Sequence, residues 1–487
     1  MSSRRADLFL GLDVGTQGTK GVLVDAASGV VARASSSYDL IEGLAQGAAE
    51  QHPATWIDAV ASVAGELARE TDLACVRGVG VSGQQHGFVA LDAEREVIRP
   101  AKLWCDTSTS AQATELSEAF GHGVPTGFTA SKILWLKQCE PESWRRLRHV
   151  LLPHDYVNFR LTGELTMEPG DASGTGLFDV SRREFDDRLV QTLDPDLGGM
   201  LPPLRQPGDL AGRVTADGAR LIGVPEGTPV STGGGDNMMS AIGSGAVRPG
   251  VVVLSLGTSG TVFTHTDRAP DADGLIAPFC GSAGGWLPLL CVMNLTGVTE
   301  EVHSASGLGR DELIELATQV SPGCEGLTWL PFLSGERVPD LPDATGTLFG
   351  MRSGSLSPGV LYRAAIEGTS LNLEWGMQKM KATGVEIGEL RLVGGAANNA
   401  LWQQVLADVC EVSVRRLEET ESGALGAALQ SMWAAGRERD PDLAIEAVIE
   451  PFVKLAESVV EPSSDAVVYR ESRGRYAEAL ERYYGVR

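Results

Sequence analysis

The feature that most constrains the fold of this chain is a short motif that occurs twice. LDVGTQGT (residues 12–19) and LSLGTSGT (residues 254–261) share the frame L-x-x-G-T-x-G-T and lie 242 residues apart, about half of the 487-residue chain. In each copy an apolar run precedes the motif and a second short apolar run follows it, which predicts two strands joined by a glycine-rich turn. The shared frame and the matching flanks favour a duplication over a chance match.

The surrounding segments repeat in the same order. Trp56, Val60, Val63 and Leu67 recur at helical spacing before the strand CVRGVGVSG and the turn QQHG. In the second half, a helical stretch over residues 360–381 precedes the strand ELRLV and the turn GGAANN. The turn-rich segment GAVRPG (residues 245–250) marks the boundary. We therefore predict an α/β protein whose two duplicated domains, residues 1–246 and 247–487, face each other across an interdomain cleft.

Both predicted turns carry groups that suit a polyphosphate. Backbone N–H groups and hydroxyls in a glycine- and threonine-rich turn can cradle phosphate oxygens, and two such turns on opposed domains can hold one nucleotide. Either turn alone is more typical of an ordinary hairpin, so the prediction depends on the pair. The candidate phosphate-binding residues are Gly15, Thr16 and Lys20 in the first copy, and Gly257 and Thr258 in the second.

The two copies differ at one position that bears on metal binding. Asp13 stands where the second copy has Ser255. Mg²⁺ in phosphate-transferring sites is held by one or two carboxylates, substrate phosphates and water. Asp13 is therefore the candidate Mg²⁺ ligand.

Two other nucleotide motifs are excluded. The chain has no G-x-x-x-x-G-K-[ST] loop. GVGVSG (residues 78–83) matches G-x-G-x-x-G, but its glycines fall within a predicted strand. We expect QQHGFVALD to continue that strand instead of opening a helix, which is the wrong context for dinucleotide binding.

Polar side chains follow several predicted strands. GQQHG offers Gln85 and His86 to sugar hydroxyls, and STGGGDN places Asp236 and Asn237 after three glycines that allow a ligand to approach the backbone closely. A carboxylate so placed can take a proton from a hydroxyl, although an Asp-Asn turn with a purely structural role is about as common. Further candidates for a polar pocket or a nucleotide contact are Trp104, Asp106, Gly394, Gly395 and Asn398.

Charge and composition restrict the partners. A net charge of −24 argues against a nucleic-acid partner, because phosphate contacts need clustered Lys and Arg. The seven cysteines form no C-x-x-C pair, which fits a reducing compartment, and no run approaches the roughly 20 apolar residues of a membrane span. We expect a cytoplasmic protein without a membrane partner.

Several motifs, taken together and in order, resemble those of FGGY-type carbohydrate kinases. The resemblance spans nearly the whole chain, and GQQHG, LLPHDY with LTGE, and GDASGTGLFDV are most similar to xylulokinases. The other motifs that carry it are DVGTQGTK, GFTASKILWLKQ, STGGGDN, LSLGTSGT, PFLSGER and VGGAANNALWQQVLADV.

The resemblance implies an actin-like, ribonuclease-H-like fold and the use of ATP and Mg²⁺. It implies a sugar-binding N-terminal domain that carries the Mg²⁺ and phosphate hairpin, and a C-terminal domain that binds ATP and its adenosine. Asp236 would be the general base that activates the C5 hydroxyl of D-xylulose, with Asp13 at the metal. The sugar contacts would come from Gln85, His86, Asp236 and Asn237 with Trp104 and Asp106 close by, and the adenosine contacts from Gly394, Gly395 and Asn398.

This chain departs from the family pattern at two positions. No arginine follows the Trp104–Asp106 pair, and His154 stands where a lysine is frequent. Another pentulose or polyol, such as ribulose or ribitol, therefore stays open as the substrate, as does an actin-like nucleotide-binding protein without sugar kinase activity. The resemblance is also compatible with a homodimer.

Overall fold

The computed structural model describes residues 7–271 and 274–486. The strands are β1 (Leu8–Val14), β2 (Gly18–Asp25), β3 (Gly29–Ser37), β4 (Glu50–Gln51), β5 (Val76–Gly83), β6 (Val89–Leu91), β7 (Ala101–Lys102), β8 (His149–Leu151), β9 (Phe178–Asp179), β10 (Glu184–Phe185), β11 (Leu210–Arg213), β12 (Pro229–Ser231), β13 (Gly234–Gly235), β14 (Gly250–Leu256), β15 (Gly260–Thr264), β16 (Ala277–Cys280), β17 (Trp286–Val292), β18 (Thr328–Leu330), β19 (Thr347–Phe349), β20 (Ile387–Val393), β21 (Ser413–Leu417) and β22 (Leu455–Val460).

The α-helices are α1 (Pro53–Glu70), α2 (Ser110–Phe120), α3 (Thr129–Cys139), α4 (Pro141–Arg146), α5 (Pro153–Thr162), α6 (Pro169–Ala172), α7 (Asp187–Leu193), α8 (Ala216–Ile222), α9 (Asp236–Ser244), α10 (Thr296–Ser306), α11 (Arg310–Thr318), α12 (Pro358–Ala382), α13 (Ala400–Cys410), α14 (Ser422–Arg437), α15 (Ile445–Ile449) and α16 (Ala466–Tyr484). In the part of the chain that the structure describes, no helix has the length and apolar character needed to cross a bilayer.

The strand order confirms the duplication. The first large sheet runs β11-β12-β5-β1-β2-β3, and the second runs β16-β17-β15-β14-β20-β21-β22. In the first, β1 pairs antiparallel with β2 and parallel with β5; in the second, β14 pairs antiparallel with β15 and parallel with β20. Each repeated motif is thus the turn of a hairpin whose first strand also has a parallel neighbour.

The helices that precede the parallel strands also correspond. In α1, residues Trp56, Val60, Val63 and Leu67 are buried in the core of the first sheet, as their spacing predicts. In the second half, α12 covers the stretch expected to be helical and contributes buried residues to the core of the second sheet.

The chain forms two compact units that are not contiguous in sequence. One unit comprises Met1–Val247, Pro278–Leu287 and Glu421–Val453, and the other comprises Arg248–Ala277, Pro288–Thr420 and Lys454–Arg487. The change at Val247 falls within the expected boundary segment. The expected division into residues 1–246 and 247–487 differs from the compact units because α14, late in the sequence, packs against α9, β1 and β5 of the first unit.

Glycines in the first sheet allow α14 to approach its backbone. A Cβ atom on Gly80 of β5 would lie 1.9 Å from the Ala427 carbonyl oxygen, and one on Gly11 of β1 would lie 1.9 Å from the Ala424 carbonyl oxygen. Any side chain there would push the helix off the sheet. This contact explains Gly80 of GVGVSG, which packs against a helix instead of binding a dinucleotide.

The expected continuation of this strand is wrong. Strand β5 ends at Gly83, and the chain turns before it forms β6, which pairs with β8 in a separate two-stranded sheet. His86 has a φ of 62°, which no extended strand can accommodate. Residues 84–87 are therefore a turn at the end of β5, and Phe88 already forms a β-bridge with Lys102.

We expect Gly80→Ala to lower the free energy of unfolding by at least about 3 kcal/mol, because the contact it creates is with backbone that cannot rotate away. Equilibrium unfolding in urea measures this loss. Gly65→Ala is the matched control: Gly65 lies in α1 with open space at its Cβ position, so the same change should stabilise the helix by roughly 1 kcal/mol. Equal effects of the two substitutions would contradict the packing argument.

Candidate active site

Three strand ends place two candidate carboxylates, the metal ligand Asp13 and the base Asp236, side by side. In the parallel pairing of β1 and β5, Asp13 is opposite Ser82. On the other side of β5, β13 pairs Gly234 with Ser82. Helix α9 begins at Asp236, immediately after β13. Asp13 and Asp236 therefore flank the same end of β5.

Asp13 is held in place by its neighbour on β5. The Ser82 hydroxyl donates a hydrogen bond to Asp13 Oδ1 over 2.6 Å. Burial raises the pKa of Asp13, and Ser82 and Lys20 act against that rise. A further positive charge near Asp13 would therefore stabilise the ionised form of this carboxylate.

Lys20 lies opposite Asp13 in the hairpin and forms an ion pair outside the predicted set. Its Nζ atom is 2.7 Å from Glu421 Oε2, and the Lys20 side chain is half exposed. Glu421 directly precedes α14. A phosphate bound by Lys20 would therefore compete with Glu421 for the ammonium group.

Asp236 is the first residue of α9, where the helix dipole favours a negative charge. The backbone N–H and the side-chain amide of Asn237 both donate to Asp236 Oδ1, over 2.7 and 2.9 Å. Burial, and then the charge of Asp13, raise the pKa of Asp236 to about 7. A carboxylate with that pKa is well matched to proton transfer near neutral pH.

The glycines before Asp236 each accommodate a close neighbour. Gly233 has a φ of 72°, which favours glycine, and its peptide is held by Gln430 of α14. The Gly233 N–H donates to Gln430 Oε1 over 2.8 Å, and Gln430 Nε2 donates to the Gly233 carbonyl over 3.0 Å. A Cβ atom on Gly235 would lie 2.6 Å from Gln85 Cγ. Because Gly235 has no side chain, Gln85 can contact the start of α9.

Gln85 and Asn237 are joined directly. The Asn237 side-chain amide donates to Gln85 Oε1 over 3.0 Å. The neighbouring His86 ring packs against two aromatic rings that also contact each other, with centroids 4.7 Å from Phe128 and 5.8 Å from Phe279. The structure therefore places Gln85, Asn237, Asp236 and Asp13 close to one another.

The first hairpin turn lies beside Trp104. The Trp104 indole N–H donates to Thr16 Oγ1 over 2.9 Å, while the ring remains 39% exposed. Thr16 in turn donates to Gln84 Oε1, and the Gly15 carbonyl accepts from the Tyr38 hydroxyl. An exposed aromatic face next to a predicted phosphate turn is available to a ligand.

Asp106 does not lie open to a ligand. Its side chain is fully buried, and both of its oxygens are engaged. Oδ1 accepts from the Ser108 N–H and hydroxyl, and Oδ2 accepts from the Ala49 N–H and from Lys102 Nζ. This placement gives the carboxylate a structural role in the loop that carries Trp104 and does not support a direct contact between Asp106 and a sugar.

The second unit brings its own candidate residues together. Gly257 and Thr258 form the turn after β14, and their carbonyls accept from the N–H groups of Thr296 and Leu295 at the start of α10. The parallel pairing of β14 and β20 places Ser255 opposite Val393, so Gly394 follows at the adjacent strand end. Gly394 has a φ of 91°, and a Cβ atom there would lie 2.8 Å from the Leu256 carbonyl oxygen.

The turn GGAANN leads into α13, and its two asparagines have different roles. Residues Gly395–Asn398 form a short 3-10 helix, and the Asn399 side chain caps α13 by accepting from the Trp402 N–H. Asn398 Oδ1 instead accepts from Arg416 Nη1 over 2.8 Å. Asn398 is therefore a residue of the turn itself and not the cap.

Sequence reasoning missed several residues of the first unit. Ser82 binds Asp13, Glu421 pairs with Lys20, Gln430 holds the glycine turn, and Asp171 adds negative charge that raises the pKa of Asp236. The motif GDASGTG, which contains Asp171, was the one available signal. Ser82 lies in a strand with ordinary composition, and Glu421 and Gln430 lie far from the site in sequence.

No group of three or more His, Cys, Asp or Glu side chains suitable for a metal ion occurs within residues 7–271 and 274–486. The donor chemistry nevertheless fits a Mg²⁺ ion that takes most of its ligands from phosphates and water. Asp13 supplies a hard carboxylate oxygen, and Asp236 lies close enough for the Asp13 charge to raise its pKa. A divalent cation there would offset this repulsion.

The repeated sheets are those of the actin-like ATPase fold, and they are the scaffold of a sugar kinase. Models of the FGGY family of carbohydrate kinases match both halves of the chain, the N-terminal domain over residues 8–243 and the C-terminal domain over residues 252–435. The chain belongs to the FGGY family of carbohydrate kinases. Kinases of this family use ATP.

Within the family, the chain resembles xylulose kinases. It is 37% identical to the xylulose kinase of Haemophilus influenzae, with 98% of each chain covered, and 40% identical to that of Streptomyces coelicolor, with 88% of this chain and 89% of the relative covered. The crystal structure of a xyloylose kinase from Brucella ovis superimposes with a TM-score of 0.91 at 29% identity, covering 98% of this chain and 99% of the other.

Proposed function

We propose that the protein transfers the γ-phosphoryl group of ATP to the C5 hydroxyl of D-xylulose, with Asp236 as the general base. The observation that carries the proposal is the placement of Asp236, which lies beside Asp13 at the end of β5 and is bonded through Asn237 to Gln85. The similarity to xylulose kinases over nearly the whole chain supports the choice of sugar.

In the proposed reaction one bond forms, one bond breaks and one proton is transferred. The C5 oxygen bonds to the γ-phosphorus as the bond to the β–γ bridging oxygen breaks, and ADP leaves. The hydroxyl proton passes to Asp236. Both bonds from Asn237 end on Oδ1, so Oδ2 is the oxygen proposed to take the proton. Because phosphoryl transfer depends mainly on positioning and charge neutralisation, one correctly placed carboxylate is enough.

Polar groups near Asp236 would bind and orient the sugar. Gln85, His86 and Asn237 present amides and an imidazole that suit hydroxyl and carbonyl oxygens. The exposed Trp104 ring would cover an apolar face of the sugar while its N–H holds Thr16. Asp106 would act indirectly, by holding the loop of Trp104.

Gly15, Thr16 and Lys20 would contact the transferring phosphate, and Asp13 would hold Mg²⁺. When bound, the ion neutralises charge on the phosphates. In the second unit, Gly257 and Thr258 would contact the other phosphates, and Gly394, Gly395 and Asn398 would lie beside the adenosine. Gly394 supports this assignment. Its positive φ favours glycine, and a glycine places no side chain beside the turn.

We expect D-xylulose to be the preferred acceptor in a panel that also includes D-ribulose, L-ribulose, ribitol and glycerol. Release of ADP, measured by a coupled assay with Mg²⁺ and with a control that contains no sugar, gives kcat/KM for each. The value for D-xylulose should exceed the others by about tenfold or more. A preference for ribulose or ribitol would overturn the substrate, and no stimulation by any acceptor would overturn the kinase proposal.

Asp236→Asn should lower kcat by about a thousandfold or more, roughly 4 kcal/mol in the barrier, because the amide keeps the Asn237 bonds but accepts no proton. Asp236→Ala should lose as much turnover. Binding of ATP, measured by isothermal titration calorimetry, should be largely unchanged in both. Activity within about tenfold of the native enzyme would show that Asp236 is not the base.

Asp13→Asn should instead weaken the use of MgATP more than the binding of the sugar. We expect the KM for MgATP, and the Mg²⁺ concentration that gives half-maximal activity, to rise by about tenfold or more, while the KM for the sugar changes less. Steady-state kinetics with each substrate varied in turn measures both. A larger rise in the sugar KM than in the MgATP KM would contradict the metal role.

A further inference from the structure

Two glutamines that the proposed reaction does not use lie buried against the turn of the first hairpin, residues 15–18. Gln51 belongs to β4 and Gln84 directly follows β5, and each is 1% exposed. An amide side chain buried to this extent has lost its contact with water, so its donors and its acceptor need partners within the protein. Those partners show what each glutamine does.

Both glutamines bind carbonyl oxygens of the turn. Gln51 Nε2 donates to the Thr16 carbonyl over 2.7 Å, and Gln84 Nε2 donates to the Gly15 carbonyl over 3.3 Å. The buried Tyr38 hydroxyl donates to the same Gly15 carbonyl over 2.7 Å. Gln84 Nε2 also donates to Gln51 Oε1 over 3.1 Å, so the two amides are joined. Two successive peptide carbonyls of the turn are thus bound by three buried side chains.

Two tryptophans fix the direction of these hydrogen bonds. An indole N–H can only donate a hydrogen bond, so the atom that it contacts must be an acceptor. The Trp56 indole donates to Gln51 Oε1 over 2.9 Å, which leaves the Gln51 nitrogen for the Thr16 carbonyl. The Trp104 indole donates to Thr16 Oγ1, whose own proton goes to Gln84 Oε1 over 3.1 Å. The nitrogen of Gln84 therefore faces the turn.

The bound carbonyls determine where the N–H groups of the turn point. In a planar trans peptide the C=O and N–H bonds point in opposite directions. The carbonyls of Gly15 and Thr16 point towards the buried glutamines, so the N–H groups of Thr16 and Gln17 point away from them. Gln17 is exposed and Thr16 partly so, and within the described part of the chain neither of these N–H groups donates a hydrogen bond. Two neighbouring backbone donors are therefore available to a ligand.

From this network we infer that the two glutamines and Tyr38 are positioning residues, which orient the backbone N–H groups of Thr16 and Gln17 towards the transferring phosphoryl group. Successive N–H groups in a turn form a concave site for phosphate oxygens. Donors that are already oriented stabilise the charge on those oxygens without a cost of reorganisation during the reaction. The inference rests on the proposed function, in which the same turn contacts the transferring phosphate, and extends it to residues that act through the turn.

The test replaces each glutamine in the full-length protein with methionine, which has a similar length but no amide. We expect Gln51→Met to lower the single-turnover rate of D-xylulose phosphorylation by about tenfold or more, because the Thr16 carbonyl loses its donor and the Gln17 N–H is no longer oriented. Gln84→Met should behave similarly. The dissociation constants for D-xylulose and for MgADP, which lacks the transferring phosphate, should change by less than about threefold in isothermal titration calorimetry. A tenfold rise in either constant would overturn the inference.

Gln112→Met is the matched control. Gln112 of α2 is also buried, at 9% exposed, and its amide donates to Gln138 Oε1 over 2.9 Å, outside the hairpin. The same substitution there removes a buried amide without changing the turn, so the single-turnover rate should change by less than about threefold. Equal rates for Gln51→Met and Gln112→Met would overturn the inference. A native enzyme without sugar-stimulated ADP release would instead overturn the proposed function, so the two failures are distinguishable.

Hydrogen–deuterium exchange of the ligand-free protein measures the order of the turn without any reaction. The Gly15 N–H donates to the Gly18 carbonyl across the turn over 3.0 Å. We expect a peptide that covers residues 12–19 to exchange about tenfold faster in Gln51→Met than in the native protein, and at the native rate in the control. Unchanged exchange in Gln51→Met would contradict the positioning role.

Thermal unfolding shows whether each variant folds. If neither glutamine variant does, Tyr38→Phe takes their place, because it removes one hydroxyl from the Gly15 carbonyl and keeps the ring. Gln84 still donates to that carbonyl, so we expect a smaller loss, about threefold or more in the single-turnover rate, together with faster exchange of residues 12–19. A native rate and native exchange in Tyr38→Phe would overturn the inference.

Discussion

The pairing of β5 with β1 on one side and with β13 on the other is the interaction on which the rest of the site depends. It sets Ser82 opposite both Asp13 and Gly234. A shift of one residue in either register would turn the side chains concerned to the opposite face of the sheet. Two carboxylates from positions more than 200 residues apart are therefore held as neighbours by backbone hydrogen bonds, before any side-chain contact forms.

Close packing of backbone on backbone maintains that register. Helix α14 lies against Gly11 and Gly80 on the sheet and against Gly243 of α9, where a Cβ atom would lie 2.0 Å from the Ser422 carbonyl oxygen. The same helix contributes Gln430, which holds the peptide of Gly233 on both sides. The sheet, the helix and the glycine turn are thus one packed body, and the position of Asp236 follows from it.

In contrast to this packing, the buried charges destabilise the folded state, because removing a charge from water costs free energy. Asp13, Asp171 and Asp236 all have raised pKa values because burial disfavours their charged forms. Lys20 acts against that rise at Asp13, and His154 does so at Asp171. Such a cluster of raised pKa values is typical of a functional site.

The sequence by itself determined the duplicated fold, since the repeated L-x-x-G-T-x-G-T frame and the helix, strand and turn that follow are local patterns with a known period. It also predicted Asp13, Gln85, Asp236 and Asn237 as site residues, and each of them lies within two residues of the end of a strand. Only the tertiary structure decided that Asp106 is buried with both oxygens engaged, that Gln430 and Glu421 belong to the first unit, and that Asp171 adds its charge to the site. These depend on long-range packing of α14 and on burial, and burial is a property of the whole fold that no local run of residues encodes.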